Sequence, residues 1–373
     1  MDALRLLQAA RSLADPTLLH RGVDNAILWS LGNVVMPMEV AAPAQRVDIE
    51  TFWAASTVAA PSPVRVVGEL PSRRGGRVRV LDLEGPSQGP GEHPGSAHLL
   101  AQARFNTGAQ PDAPAVLIIH GFAVPTAIVE DYHANLLTAR GAHAVRLDLP
   151  FHLRRRAVDT RSGDGFFGAD LTRVRDVIRQ SVEDAAALVA WMQAEMSPRV
   201  AVIGFSLGGL VAALLAARVP MAAALPVIPA ADLPEIFMTY APSRSRARAG
   251  MVGDGGGPWG VDRATARRTL DEALAPVVPR RLHPKTEPQR MAIISATHDR
   301  VVGGASARRL AHSWGTPLWH YDHGHITVLT APGLTTRLHS FLLDTAAGDR
   351  DAPAETAHAL LGRDRRRAVP AAS

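Results

Sequence analysis

A serine between two glycines, in the segment Gly204–Gly209 (GFSLGG), constrains the folding of this chain more than any other feature. The apolar run Arg199–Gly204 (RVAVIG) predicts a buried strand before it, and the Leu- and Ala-rich segment after it predicts a helix. A direct passage from strand to helix puts Ser206 in a tight turn, where a side chain at Gly204 or Gly208 would collide with the strand or the helix. The serine hydroxyl is therefore expected to project above the carboxyl edge of a sheet.

Short apolar runs alternate with segments of helical periodicity from about residue 76 to residue 345. Uninterrupted apolar strands are typical of a parallel sheet that is covered on both faces. The sequence thus predicts the α/β class, with a mainly parallel central sheet and helices on both faces. Five further parallel strands are predicted at Ala115–Ile119, Ala144–Leu149, Ala222–Ile228, Met291–Ala296 and Pro317–Tyr321. Arg77–Leu83 and Leu99–Phe105 are expected to pair as a hairpin beside them.

Three segments depart from this alternation. Residues 1–75 are interpreted as an N-terminal helical extension and residues 76–345 as the main domain. Residues 230–288 are too long for a simple crossover, so we interpret them as a cap insertion over the strand ends, with a surface excursion as the alternative. The Ala- and Arg-rich residues 346–373 are expected to be a disordered tail.

Composition excludes several functional classes. The chain of 373 residues contains no cysteine, which rules out disulfides, a thiol nucleophile and any Cys-ligated metal. Its 40 basic residues give a net charge of +5, but they are dispersed arginines with Lys285 as the single lysine, and aromatic residues amount to 5%, so nucleic acid is not expected as a partner. No apolar run approaches the ~20 residues of a membrane helix, and a cytoplasmic protein is predicted. The apolar segment Val23–Met36 leaves peripheral membrane contact open.

A serine nucleophile needs a base, and the base needs a carboxylate to orient it. Asp299 follows a predicted strand and is the expected acid, with Asp232 as the alternative. His325 follows the last predicted strand and is the expected base, with His323 as the competitor. The glycine before His325 favours it, because a residue without a side chain would let this loop approach the serine closely.

Two backbone N–H groups are expected to stabilise a developing oxyanion, those of Leu207 and of Phe122 in the loop after Ala115–Ile119. A metal site formed by His320, Asp322, His323 and His325 is disfavoured, because no second group of ligands is evident. Neither a metal nor a cofactor is therefore predicted.

Three consecutive arginines follow the predicted strand Ala144–Leu149. Arg154, Arg155 and Arg156 could bind an anionic substrate near the catalytic edge of the sheet, whereas the alternative is a solvated loop. The sequence leaves both interpretations open.

The motifs HGF, GFSLGG, THDRVV and DHGHI occur in an order that resembles the α/β-hydrolase superfamily over residues 76–345. The segments Leu149–His152, Phe166–Phe167 and Ala224–Pro229 are similar to bacterial relatives of α/β-hydrolase-domain-containing protein eighteen. The resemblance implies an α/β-hydrolase fold and an esterase-, deacylase- or lipase-like serine hydrolase without a cofactor, acting on a small-molecule ester or lipid. An acyltransferase that uses the same acyl-enzyme and a non-catalytic relative are the alternatives.

Overall fold

The structure, a computed structural model, describes residues 16–31, 46–54, 61–71, 76–87, 97–168, 170–240 and 263–348. The middle of the expected cap, residues 241–262, and nearly all of the expected tail lie outside these described residues. The strands are β1 (Ser62–Pro71), β2 (Arg77–Pro86), β3 (His98–Asn106), β4 (Ala115–Ile119), β5 (His143–Asp148), β6 (Val200–Phe205), β7 (Ala223–Val227), β8 (Ile293–Ala296) and β9 (Leu318–Tyr321).

All nine strands form one sheet in the order β1-β2-β3-β5-β4-β6-β7-β8-β9. The first three strands and the β3–β5 pair are antiparallel, whereas β5, β4, β6, β7, β8 and β9 run parallel. The central strands β4, β5 and β6 are buried along their whole length. This agrees with the uninterrupted apolar sequences of β4 and β6, whereas β5 also buries the polar residues His143, Arg146 and Asp148. The predicted α/β class and the predicted hairpin, now β2 and β3, are confirmed.

The helices are α1 (Pro16–Leu31), α2 (Ile49–Phe52), α3 (Ile128–Ala139), α4 (Leu171–Glu195), α5 (Leu207–Arg218), α6 (Arg263–Ala273), α7 (Gly304–Trp314) and α8 (Leu334–Ala347). The largest apolar core lies between one face of the sheet and α4 to α7, and a second core lies between the other face and helices α3 and α8. Both faces of the sheet are thus covered, as predicted. Within the described parts of the chain, no helix is both long enough and apolar enough to cross a membrane.

The described part of residues 1–75, interpreted from the sequence as an N-terminal helical extension, contains helices α1 and α2 but also strand β1. This strand extends the antiparallel edge of the sheet by pairing with β2, and its register shifts near Pro63 and Val66. Several of its apolar side chains, among them Val66 and Leu70, are exposed rather than buried. A strand with prolines near both ends, whose side chains from Arg65 to Pro71 are mostly exposed, lacks the alternation that identifies strands in a sequence.

Short helix α2 fixes the N-terminal region to the main domain. Asp48 accepts a hydrogen bond from the N–H of Thr51 and so caps the helix, and the side chains of Phe52 and Trp53 are buried in the larger core. The indole of Trp53 donates to the carbonyl of Pro276 at 2.8 Å. The segment around α2 therefore packs against the core of the main domain.

Candidate active site

Ser206 lies in a strained turn at the carboxyl end of β6. Its backbone has φ +55° and ψ −110°, a conformation that costs a non-glycine residue roughly 1–3 kcal/mol. Its N–H donates to the carbonyl of Val227 at the end of β7, and its carbonyl accepts from the N–H of Leu210 and of Ala230. These main-chain bonds hold the strained turn between two parallel strands and the first turn of α5.

The two glycines of this turn are required by close backbone contacts. A Cβ on Gly204 would lie 2.0 Å from the carbonyl oxygen of Gly208, and a Cβ on Gly208 would lie 2.2 Å from the carbonyl oxygen of Ile119. Neither neighbour is a side chain that could move away. The spacing in the sequence therefore reflects the tight passage from strand to helix.

The structure brings Ser206, His325 and Asp299 together in one chain of hydrogen bonds. The hydroxyl oxygen of Ser206 lies 3.0 Å from Nε2 of His325, and Nδ1 of His325 lies 2.8 Å from Oδ2 of Asp299. Asp299 follows β8, and its other carboxylate oxygen accepts N–H bonds from Val301 and Val302 at 2.9 Å. With the aspartate ionised, Nδ1 donates to it, so Nε2 is free to accept the serine proton.

The electrostatics of the pair favour a charged aspartate and a basic histidine. Burial alone would raise the pKa of Asp299, but His325 and the two N–H donors lower it below its ordinary value. Burial likewise would lower the pKa of His325, but the attraction and hydrogen bond of Asp299 raise it above 6.5. The imidazole is thus a stronger base than an isolated histidine.

The two predicted oxyanion donors belong to segments that adjoin the serine. Leu207 is the first residue of α5, so its N–H has no acceptor within the helix. Phe122 follows Gly121, whose Cβ position would be 3.6 Å from Cβ of Ser206, which places this loop beside the serine. This proximity to the serine is the basis for including the N–H groups of Leu207 and Phe122 in the proposed mechanism below.

A buried histidine fixes the loop that carries Phe122. Nε2 of His120 accepts the N–H of Leu149, and Nδ1 lies 2.7 Å from the carbonyl of Gly121. Burial lowers the pKa of His120 to about 4, so the ring is neutral at neutral pH. His120 therefore supports the backbone of the loop and carries no charge toward the serine.

The alternative acid and base have other partners. Asp232 caps a short helical turn through the N–H of Glu235 and pairs with Arg267, Arg280 and Arg309. The ring of His323 packs against that of His20 at 4.9 Å.

The residues of the disfavoured metal site do not converge. The ring of His320 contacts the hydroxyls of Ser295 and Thr297. Asp322 contacts Nε2 of His298, and His325 points toward Ser206 and Asp299. Among the described residues, no group of three metal-ligating side chains forms a site.

The three consecutive arginines occupy different environments. Arg155 is buried and pairs with Asp184 at 2.7 Å, so the structure corrects its expected role in substrate binding. Burial raises the pKa of Asp184, and the charge of Arg155 opposes that rise. Arg154 is partly exposed and bonds to both Asp148 and Asp82. A loop that packs against a core places successive side chains in different directions, so only one of the three is buried.

Arg154 and Arg156 line a cavity of about 630 Å³ between the loops that follow β4 and β5. Arg146 of β5 also lines the cavity, whereas Asp159 contributes a carboxylate and Pro125 an apolar wall. None of the residues of the hydrogen-bonded serine site lines it. The cavity is therefore separate from the serine site, and its three arginines outnumber its one carboxylate.

One buried carboxylate next to this site is absent from the sequence-based set. Asp24 of α1 is fully buried and accepts the backbone N–H of His325 at 2.8 Å. Gly324, expected to let this loop approach the serine, also makes room for α1, because its Cβ position lies 2.9 Å from the carbonyl of His20 and 3.0 Å from the carboxylate of Asp24. The one sequence feature that could have indicated this carboxylate is its position within the otherwise apolar segment Val23–Met36.

A parallel sheet with a strained serine between strand and helix defines the α/β-hydrolase fold. A sequence model described as "Alpha/beta hydrolase family" matches residues 116–368, more than half of the chain. This chain therefore belongs to the alpha/beta hydrolase family. A search of curated proteins finds no match.

Solved structures share the fold at low sequence identity. An acetyl xylan esterase from Paenibacillus sp. R4 is 12% identical, with a TM-score of 0.57 over 78% of this chain and 91% of that one. Acetyl xylan esterase 1 from Thermoanaerobacterium sp. JW/SL YS485 is 14% identical, with a TM-score of 0.58 over 82% of this chain and 96% of the other. These similarities confirm the predicted α/β-hydrolase fold.

Proposed function

We propose that this protein is a serine hydrolase that cleaves a carboxylic ester through an acyl-enzyme formed on Ser206. The observation that carries the proposal is the continuous hydrogen-bonded chain from the Ser206 hydroxyl through His325 to Asp299. A base that contacts the nucleophile and is oriented by a carboxylate is the arrangement that activates a serine. The two structural neighbours named above are acetyl xylan esterases, which supports an ester as the substrate class. We also propose, from the sequence motifs described above, that the protein is related to α/β-hydrolase-domain-containing protein eighteen.

In the proposed mechanism, Nε2 of His325 takes the hydroxyl proton as the Ser206 oxygen attacks the ester carbonyl. Asp299 stabilises the imidazolium, and the N–H groups of Leu207 and Phe122 stabilise the oxyanion of the tetrahedral intermediate. Collapse of the intermediate breaks the bond to the alcohol oxygen, which receives the proton from His325. Water, activated by the same histidine, then attacks the acyl-enzyme and releases the acid.

An apolar wall beside the oxyanion donor favours an apolar acyl group. The ring of Phe122 lies 5.0 Å from that of Phe167, which in turn contacts Phe237 at 5.8 Å. Phe237 belongs to the described part of the expected cap. We therefore include in the proposal that residues 230–288 and the N-terminal helices cover the serine and line the acyl site.

The experiment that tests the proposal is hydrolysis of p-nitrophenyl esters of increasing acyl length, with methanol as a competing acceptor. We expect turnover with a burst of p-nitrophenol, because the alcohol leaves before the acyl-enzyme is hydrolysed. Methyl ester formation in place of the free acid would assign the acyltransferase alternative. The absence of both turnover and burst across the series would contradict the proposal.

We predict that Arg156→Ala selectively weakens the binding of anionic esters. Arg156 is exposed at the cavity, and a charge-assisted contact is worth roughly 1.5–3 kcal/mol. The KM of an ester with a succinyl group should therefore rise about tenfold or more, whereas the KM of a neutral ester of equal length stays unchanged. The measurement is steady-state kinetics with this pair of substrates.

Two other arginines provide the controls for this prediction. Arg199→Ala removes a charge that pairs with Asp112 at the opposite end of β6, so it should leave both KM values unchanged. Arg155→Ala should instead lower the free energy of unfolding by about 3–5 kcal/mol, because it leaves the buried Asp184 carboxylate without its cationic partner, with the hydroxyl of Ser87 as a neutral donor. Equal effects of Arg156→Ala on both esters would contradict a role in anion binding.

A further inference from the structure

The carboxylate of Asp24 is buried with backbone N–H groups as its only described partners. Oδ2 accepts the N–H of Arg300 at 3.0 Å and that of His325 at 2.8 Å, and Oδ1 accepts the N–H of Ile326 at 3.3 Å. Its side chain forms no ion pair with the described residues, although it is completely excluded from solvent. A buried charge of this kind is costly, so its retention calls for a role that a neutral residue would not perform.

The three N–H donors belong to the two loops that carry the acid and the base. Arg300 directly follows Asp299 after β8, and His325 and Ile326 follow β9. A second link joins the same loops, because the N–H of His298 donates to the carbonyl of His323 at 2.9 Å. Asp24 therefore connects the main chain on both sides of the His325–Asp299 hydrogen bond.

A second residue of α1, one turn before Asp24, binds the same loop. Nδ1 of His20 is hydrogen-bonded to the hydroxyl of Thr327 at 2.8 Å, and that hydroxyl oxygen accepts the N–H of Gly324 at 2.9 Å. Residues four apart lie on the same face of a helix, so His20 and Asp24 form one contact surface. Gly324 permits this contact, because a side chain at that position would collide with His20 and Asp24.

We propose that Asp24 is a positioning residue that holds the backbone of His325, so that its imidazole contacts Ser206 and Asp299 simultaneously. Its negative charge also stabilises the imidazolium that forms as Ser206 is deprotonated. This inference rests on the proposed function. Because Asp24 belongs to α1, the proposal gives the N-terminal extension a part in the reaction, although α1 lies far from the other site residues in sequence.

Two carboxylates act electrostatically on His325. Burial lowers the pKa of His325, whereas Asp299 and then Asp24 raise it, with the net result above 6.5. The imidazoles of His20, His298 and His323 form a separate group, in which His20 stacks at 6.0 Å from His298 and 4.9 Å from His323. Loss of the Asp24 charge should lower the pKa of His325 while its hydrogen bonds to Ser206 and Asp299 remain.

The test compares Asp24→Asn and Asp24→Ala with the wild-type protein, using p-nitrophenyl acetate hydrolysis and the rate of labelling by a fluorophosphonate. Asp24→Ala removes all three backbone bonds, and misplacement of a catalytic group by about 1 Å can cost about 10²-fold. We expect kcat and the labelling rate to fall about 10- to 100-fold with little change in KM. Asp24→Asn should lose less activity, because its amide oxygen still accepts from His325 and Arg300.

The pH profile separates positioning from a merely structural role. Because His325 acts as a base only when neutral, activity is lost as the pH falls through its pKa. Removal of the Asp24 charge lowers that pKa, so the acid limb of kcat/KM for Asp24→Asn should move to lower pH. Asp48→Asn, which alters the cap of α2 in the same N-terminal region, should leave kcat and the acid limb unchanged.

Each outcome of this experiment decides a separate question. If the wild-type protein labels at Ser206 but Asp24→Asn keeps the wild-type labelling rate and acid limb, the positioning role is overturned and the proposed function stands. If the wild-type protein neither labels nor turns over, the proposed function itself fails, and the role of Asp24 fails with it. An Asp24→Asn variant that loses its native circular dichroism spectrum would show a purely structural carboxylate and would also overturn the proposal.

Discussion

Ser206→Ala is expected to reduce kcat for ester hydrolysis by about 10⁵-fold or more and to abolish covalent labelling by a fluorophosphonate. The hydroxyl is the atom that would form the acyl-enzyme, and no other hydroxyl is hydrogen-bonded to His325 among the described residues. The residual rate would come from the N–H groups of Leu207 and Phe122, which can still bind an oxyanion. The measurement is steady-state hydrolysis together with mass spectrometry of the labelled protein.

Ser313→Ala is the matched control for this variant. Ser313 is exposed on α7 and contacts the carbonyl of Arg280, so its removal should change neither turnover nor labelling. The wild-type adduct should map to the peptide that contains Ser206. Labelling that persists in Ser206→Ala, or an adduct on another residue, would contradict the assignment of the nucleophile.

Regular hydrophobic patterns made most of the sheet predictable. The buried runs at β4 and β6 match their predicted positions to within a residue, because both faces of these strands pack against helices. Strand β1 was missed since its side chains lie on an exposed edge and follow no burial pattern. Helix α7 was also missed, because its sequence between Asp299 and the last strand is short and only weakly apolar.

Site residues could be predicted where a short sequence motif identifies them, as for the serine between two glycines. Ser206 can be identified because its flanking glycines, Gly204 and Gly208, form a local sequence pattern between a strand and a helix, even though Gly208 is required by contact with the distant Ile119. Asp24 could not be found in this way, since its partner His325 lies 301 residues along the chain. The separation of Arg155 from Arg156 was equally hidden, because the direction of a loop side chain depends on the core behind it.

His325→Ala is expected to lower kcat by about 10³-fold or more, whereas His323→Ala should have a much smaller effect. Nε2 of His325 is the atom within hydrogen-bond distance of the Ser206 hydroxyl. Burial and the neighbouring His20 lower the pKa of His323, so its removal eliminates a neutral ring rather than a charge. The measurement is kcat for both variants on one ester, with the folded state checked by circular dichroism.

The pH dependence of the wild-type protein provides the second half of this prediction. Asp299 raises the pKa of His325 above 6.5 against the effect of burial, so the acid limb of kcat/KM should lie above that value. In Asp299→Asn the raising charge is lost, so the limb should move to lower pH while kcat falls, because the amide no longer stabilises the imidazolium. The same limb should remain in place in His323→Ala. If that variant moved the limb, or lost more activity than His325→Ala, the base would have to be reassigned to His323.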